Sequence, residues 1–132
     1  MKQFWPPFLI RLALAASAAV ILSCGSGTGI STSCNPTALT ISPTTGTADH
    51  TALPPGNQVQ YSGMLQYPSG CAVPAIVPIL TWTTSDTTDI SITGGPANPA
   101  VATCLNATPQ PATITAALPT SGLKGTASLS CR

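Results

Sequence analysis

The sequence predicts an all-β protein, a β-sandwich of about seven strands. Three observations point to this class: short segments alternate apolar with polar residues, residues that favour strands are abundant, and proline is frequent. The 132 residues include 20 Thr, 13 Ser and 14 Pro. Thr, Val and Ile favour strands, whereas a proline inside a helix removes a hydrogen bond and bends the chain. The composition therefore excludes a helical bundle or a coiled coil.

Charged residues are scarce in this chain. There are four Lys or Arg, three Asp and no Glu. A nucleic-acid-binding surface needs clustered cations to neutralise phosphates, and a disordered chain of the usual kind needs high net charge with low hydrophobicity. The composition fits neither class. We therefore expect a folded domain with no nucleic-acid partner.

Residues 1–23 are predicted to be a secretory signal peptide. Lys2 and Arg11 are the only charged residues there, and an apolar run of eleven residues follows at 12–22. A cationic start followed by a short apolar run is the layout of a signal peptide. The run is shorter than the roughly 20 residues that a membrane-spanning helix needs. We therefore expect cleavage after the run.

Cys24 is the predicted lipidation site. Ile21, Leu22 and Ser23 precede it, and this ILSC segment resembles a bacterial lipobox. The resemblance implies that a diacylglyceryl group is attached to the sulfur of Cys24 and that cleavage makes Cys24 the first mature residue. Several acyl chains on one cysteine anchor a protein stably, whereas a single chain does not. The rival interpretation is an uncleaved or conventionally cleaved signal in which Cys24 has no role.

The residues after Cys24 predict a location and a tether. Asp at the following position is the familiar inner-membrane retention signal of enteric bacteria, and Gly25 in its place favours the outer membrane or the cell surface. Residues 24–33 are rich in Gly, Ser and Thr. We expect the nine residues at 25–33 to form a flexible tether behind the lipidated Cys24, with an end-to-end distance of about 17 Å root-mean-square. Residues 34–132 then form one domain with a modest core.

Seven segments of residues 34–132 show the alternation that predicts strands. In the clearest, at 58–67, Val59, Tyr61 and Leu65 alternate with Gln58 and Gln60. One face is apolar and the other is mostly polar, which indicates a half-buried strand. Turns rich in Pro and Gly separate the segments. The other six are 39–41, 80–83, 89–93, 101–105, 113–116 and 126–131.

Several short motifs occur in order across the predicted domain. They are LTISP at 39–43, QVQY at 58–61, TWTTSD at 81–86, ATIT at 112–115 and GTASL at 125–129. Together they resemble the group 2 bacterial Ig-like domain, relatives of which occur in intimin- and invasin-type surface proteins. The resemblance implies an Ig-like Greek-key β-sandwich with Trp82 as the buried aromatic residue of its third strand. Longer connections and four cysteines depart from the family pattern.

The four cysteines Cys34, Cys71, Cys104 and Cys131 are predicted to form two disulfides. An even number of cysteines outside the cytoplasm is the usual sign of disulfides. Zinc is the rival, but there is no CxxC pair and His50 is the only histidine. Four cysteines allow three pairings. The topology that the family resemblance implies favours Cys34 with Cys71 and Cys104 with Cys131.

We predict no catalytic residue, no metal site and no cofactor. Asp49 and His50 are neighbours in the chain, and adjacent side chains in a strand or turn point in different directions, so we expect a solvated loop histidine and not part of a triad. Asp86 and Asp89 share one loop, whereas a glycosidase pair faces across a groove. Two carboxylates would bind calcium only weakly. We expect them to cap the turn after the strand of Trp82.

The sequence therefore predicts a non-enzymatic envelope lipoprotein with one Ig-like domain and a structural or adhesive role. Its partners would be the membrane, through the lipid on Cys24, and an unknown protein or glycan. The alternative is a carbohydrate-binding module that recognises surface polysaccharide or peptidoglycan. It would use the polar face that contains Gln58, Gln60 and Gln66. Aromatic rings, which offer a flat apolar surface, are missing from that face.

Overall fold

The computed structural model describes residues 34–71, 74, 76–95 and 99–132. The predicted signal peptide at 1–23 and the predicted lipidated tether at 24–33 lie outside these described residues. No helix in the described ranges is long and apolar enough to cross a membrane. The strands are β1 (Ala38–Ser42), β2 (Thr45–Ala48), β3 (Gln58–Gln66), β4 (Thr81–Thr84), β5 (Ile90–Gly94), β6 (Pro99–Cys104), β7 (Ala112–Ala117) and β8 (Lys124–Cys131).

The strands form two four-stranded sheets. The first has the order β1-β3-β6-β5 and the second β2-β8-β7-β4. All neighbours are antiparallel except β2, which runs parallel to β8. These orders correspond to the ABED and CFG sheets of an immunoglobulin constant-type sandwich, with β2 added beside the last strand. The predicted all-β sandwich is confirmed.

Strand β2 is the one that the sequence pattern did not indicate. Its sequence is TGTA, and the residues that turn away from solvent are Gly46 and Ala48. Both are too small to produce the apolar alternation that marks a half-buried strand. The chain leaves the first sheet after Ser42 and then pairs along β8, from Thr45 beside Ser128 onward. The sandwich therefore has eight strands where the pattern predicts about seven.

The core packs the indole of Trp82 against small residues of the opposite sheet. Trp82 on β4 is 8% exposed. A methyl group built on Gly94 would lie 3.1 Å from Trp82 Cδ1, and one on Gly63 would clash with the Leu80 side chain. The indole and Leu80 therefore occupy the space that these two glycines of the opposite sheet leave open, as close packing requires. The largest fully buried side chains are Tyr61, Ile90, Ile114, Leu129 and Cys104.

Two disulfides join Cys34 to Cys71 and Cys104 to Cys131, with Cα–Cα distances of 5.7 Å and 5.6 Å. This is the pairing that the family resemblance favours. On β6 the buried positions alternate, so that Cys104 shares the inward face with Ala102. Cys131 is buried on β8 of the opposite sheet. The second bridge therefore links the two sheets through the core.

The strand register defines the two ends of the sandwich. Ala38 pairs with Gln66, so the start of β1 and the end of β3 lie together. We call this the proximal end; it includes Cys34, the β3–β4 loop and the β7–β8 turn. At the other end Gln58 pairs with Thr103. We call this the distal end; it includes the loops at 49–57, 85–89 and 105–111.

Candidate functional site

A shallow depression of about 420 Å³ lies on the outer face of the first sheet. Side chains alternate along a strand, so Gln58 and Gln60 face outward where Tyr61 faces the core. The register places Thr103 of β6 beside Gln58. The residues that line the depression are Gln58, Gln60, Thr93, Gly94, Gly95, Pro99, Val101 and Thr103. Three strands thus present amides and hydroxyls to one concave surface.

The chemistry of the depression is that of neutral hydrogen bonding. Gln58 Nε2 donates to Thr103 Oγ1 at 3.3 Å, which orients one amide along the sheet. Gln60 is exposed, so its amide can both donate and accept. None of the lining residues is charged or aromatic. The surface can therefore recognise neutral polar groups, but it offers no ring against which a sugar could stack.

The structure brings together only part of the polar face that alternation along β3 predicts. Gln66 is exposed but lies at the proximal end, where it pairs with Ala38 of β1. Its main-chain oxygen accepts from the Thr37 amide at 2.8 Å. Gln66 is not among the residues that line the depression. The candidate surface is therefore the distal half of β3 with β6 and β5.

Asp49 and His50 lie at the distal end and have different partners. Asp49 Oδ1 accepts from the amide of Thr51 at 2.9 Å and from its hydroxyl at 2.7 Å. The hydroxyl bond first, and then the amide bond, hold the pKa of Asp49 below its ordinary value of 3.8. His50 Nδ1 lies 2.9 Å from the main-chain oxygen of Arg132. These three bonds hold loops in place, and the Asp49 carboxylate does not pair with the His50 ring as a triad requires.

Asp86 and Asp89 organise the loop after β4. Asp86 Oδ1 accepts from the amides of Thr88 at 3.1 Å and Asp89 at 3.0 Å. Asp86 therefore caps the turn as expected, in the manner of an Asx-turn. Asp89 Oδ1 instead accepts from Asn106 Nδ2 at 3.1 Å and joins this loop to the next one. The described part of the chain contains no group of three or more His, Cys, Asp or Glu that could hold a metal ion.

An exposed apolar patch at the proximal end is absent from the sequence predictions. Ile76, Val77 and Ile79 in the β3–β4 loop are 84%, 57% and 71% exposed. The loop is fixed at its base, because Cys71 is bonded to Cys34. The signal was present in the sequence as PAIVPIL at 74–80, a run without a polar residue. The apolar residues of this run follow neither the helix period nor the strand period, so periodicity alone does not indicate the patch.

Comparison with known proteins identifies no family for this chain. No protein-family model matches it, and no curated protein matches it.

Proposed function

We propose that this protein is a lipid-anchored component of the bacterial cell envelope with a non-enzymatic structural or adhesive role. Residues 1–23 are a signal peptide, and acylated Cys24 is the anchor. A single domain of the bacterial Ig-like type, at 34–132, is the interaction module. The outer membrane or the cell surface is its location, because Gly25 stands where an inner-membrane protein of enteric bacteria carries Asp.

The number of cysteines that remain after disulfide formation supports this proposal. The sequence has five cysteines, and the two disulfides use four of them. Structural disulfides persist outside the reducing cytoplasm, which agrees with export behind a signal peptide. Since a sulfur forms one disulfide, none of these four cysteines can pair with Cys24. The fifth thiol is the one that ends the ILSC segment, where acylation requires it.

Replacing Cys24 tests the anchor. The wild-type protein should sediment with membranes, and its amino-terminal peptide should carry the mass of the acyl groups. A Cys24→Ala chain exported behind a conventional cleavable signal should lack that mass and should leave most of the protein in the soluble fraction. Ser26→Ala with the native leader is the matched control and should behave as wild type. A Cys24→Ala chain that sediments as completely as the wild type, or an unmodified Cys24 thiol in the wild type, would contradict the proposal.

The depression on the first sheet favours a second candidate, a carbohydrate-binding module. Gln58, Gln60, Thr93 and Thr103 present hydrogen-bonding groups around about 420 Å³, a size within the range of small-molecule sites. Its neutral lining suits uncharged hydroxyl groups. Because the depression lacks charge and aromatic rings, only a few hydrogen bonds would hold a glycan there. We therefore favour the structural or adhesive role over carbohydrate binding.

A glycan array and pull-down with insoluble polysaccharide and peptidoglycan separate the two candidates. If the depression binds glycans, Gln60→Ala should weaken binding by about 2- to 12-fold, the effect of one hydrogen bond of ~0.5–1.5 kcal/mol. Gln66→Ala, on the same strand but outside the depression, should bind as wild type. Uniformly blank results with the wild-type protein would remove the carbohydrate-binding candidate.

A further inference from the structure

We propose that the proximal end of the sandwich docks on the lipid bilayer, with the β3–β4 loop seated in the headgroup region. The docking loop is defined by Ile76, Val77 and Ile79. This inference rests on the proposed lipid anchor, because it identifies the membrane that carries Cys24 as the partner of the loop. The domain would then be held against the bilayer by its own side chains as well as by the acyl chains.

The docking loop is the densest group of exposed apolar side chains in the described ranges. Six large hydrophobic residues are exposed there, and three of them fall between Ile76 and Ile79. Contiguous exposed apolar surface usually marks an interaction site. Pro74 and Pro78 flank and interrupt this segment. Proline has no backbone N–H, so the loop brings fewer unsatisfied donors to the edge of the hydrocarbon region.

The disulfide geometry places this loop at the anchored end of the domain. Cys34 is bonded to Cys71 at the base of the loop, and Cys34 is ten residues after Cys24. A flexible tether of this length typically spans about 17 Å root-mean-square. The distal end lies about 30 Å from Cys34, at the other end of the nine residues of β3, and so beyond that typical span. The docking loop is therefore the apolar group that the anchor brings to the bilayer.

Charge along the sandwich favours the same orientation. Asp49, Asp86 and Asp89 lie in distal loops together with one cation, Arg132, so acidic side chains outnumber basic ones at that end. Lys124 lies at the proximal end, where its strand position pairs with Ala117. Anionic lipid headgroups attract cations and repel carboxylates within about a Debye length. A second copy of the domain would also accept an apolar loop. The bilayer is favoured because the same disulfide joins the loop to the tether.

Tryptophan fluorescence on the full lipidated protein tests the docking. The protein is reconstituted into vesicles of phosphatidylethanolamine and phosphatidylglycerol that contain lipids with a spin label near the headgroup. Native Trp82 is buried and supplies the background. Ile79→Trp should shift to the blue and lose about half of its added emission, as a residue seated ~5–10 Å into the interface would. The matched control Leu53→Trp, in an exposed distal loop, should be unquenched.

The possible outcomes separate the docking from the anchor. If the protein floats with the vesicles but the two tryptophan variants are quenched equally, the docking is wrong and the anchor stands. If the wild type fails to float, the anchor is wrong.

A non-acylated Cys24→Ala chain tests the docking loop independently of the anchor. Ile76→Ser with Ile79→Ser should lower its partition into anionic vesicles at least about ten-fold, whereas Leu53→Ser should not, and equal partition of the two would overturn the docking.

Discussion

At the scale of single residues, the phenol of Tyr61 is a buried polar group with a hydrogen bond between the two sheets. Its side chain on β3 is fully buried, and its hydroxyl donates to the main-chain oxygen of Ser128 at 2.9 Å. The bond crosses from the first sheet to the second. Gly46 leaves room for the hydroxyl, since a methyl group there would lie 2.6 Å from Tyr61 Oη. Burial raises the pKa of Tyr61 to about 12 from the ordinary 10.0.

Tyr61→Phe should lower the free energy of unfolding at pH 7 by ~0.5–1.5 kcal/mol, because one hydrogen bond is lost while the ring stays buried. The wild type should also lose stability as the pH rises from 10 towards 12. The unfolded chain then releases the phenol proton while the folded chain keeps it. Urea unfolding at pH 7, 9 and 11.5 measures both effects. An equally steep alkaline loss in Tyr61→Phe would show that another group causes it.

At the scale of the strand, Gly125 sets how closely β8 approaches β1. A methyl group on Gly125 would lie 2.8 Å from the main-chain oxygen of Leu39 and 3.2 Å from Ile41 Cγ1. The nearest obstacle is backbone, which cannot turn aside as a flexible side chain can. The glycine is buried in the alternating pattern of β8. Any side chain at this position must therefore push the two sheets apart locally.

Gly125→Ala should destabilise the domain by about 1–3 kcal/mol, the usual cost of overpacking a core. The neighbouring Thr126 is exposed, so Thr126→Ala is a matched control and should cost less than about 1 kcal/mol. Urea unfolding midpoints of the three proteins give the comparison. Equal midpoints for Gly125→Ala and the wild type would mean that β1 yields without cost.

The strands that the sequence predicts are those with large residues at alternate positions. Strand β3 shows this best, with Tyr61 buried and Gln60 exposed. The alternating pattern did not predict β2, because its inward residues are the small Gly46 and Ala48. Their fit depends on neighbours from distant parts of the chain. Gln58 and Gln60 were predicted to share a polar face. That Thr93 lines the same depression depends on the register of β5 and β6. Such register comes from tertiary contacts that one segment does not encode.

At the scale of the whole molecule, the two disulfides are expected to contribute unequally. Their sequence separations are 37 and 27 residues, so chain entropy alone gives each about 3–4 kcal/mol, with slightly more for the longer loop. The shorter loop is closed by Cys104 and Cys131, which are 1% and 3% exposed. Removing those sulfurs also leaves a space between the sheets. Cys34 and Cys71 are only partly buried.

The double variant of Cys104→Ala and Cys131→Ala should therefore be less stable than the double variant of Cys34→Ala and Cys71→Ala. Both should lie below the wild type by at least about 2 kcal/mol. Urea unfolding under non-reducing conditions measures the difference. A greater loss in the Cys34 and Cys71 variant would mean that the length of the closed loop outweighs the packing of the core.

The disulfides also limit how far the domain could stretch under a pulling force. A load applied at Cys34 and Arg132 passes through each sulfur bridge and bypasses the 37- and 27-residue loops that the bridges close. About 34 residues of backbone then bear the load, and their fully drawn length is about 120 Å. Without the bridges, about 98 residues would extend to about 340 Å. Even after its two sheets separate, the domain with both disulfides intact would extend far less than the reduced domain.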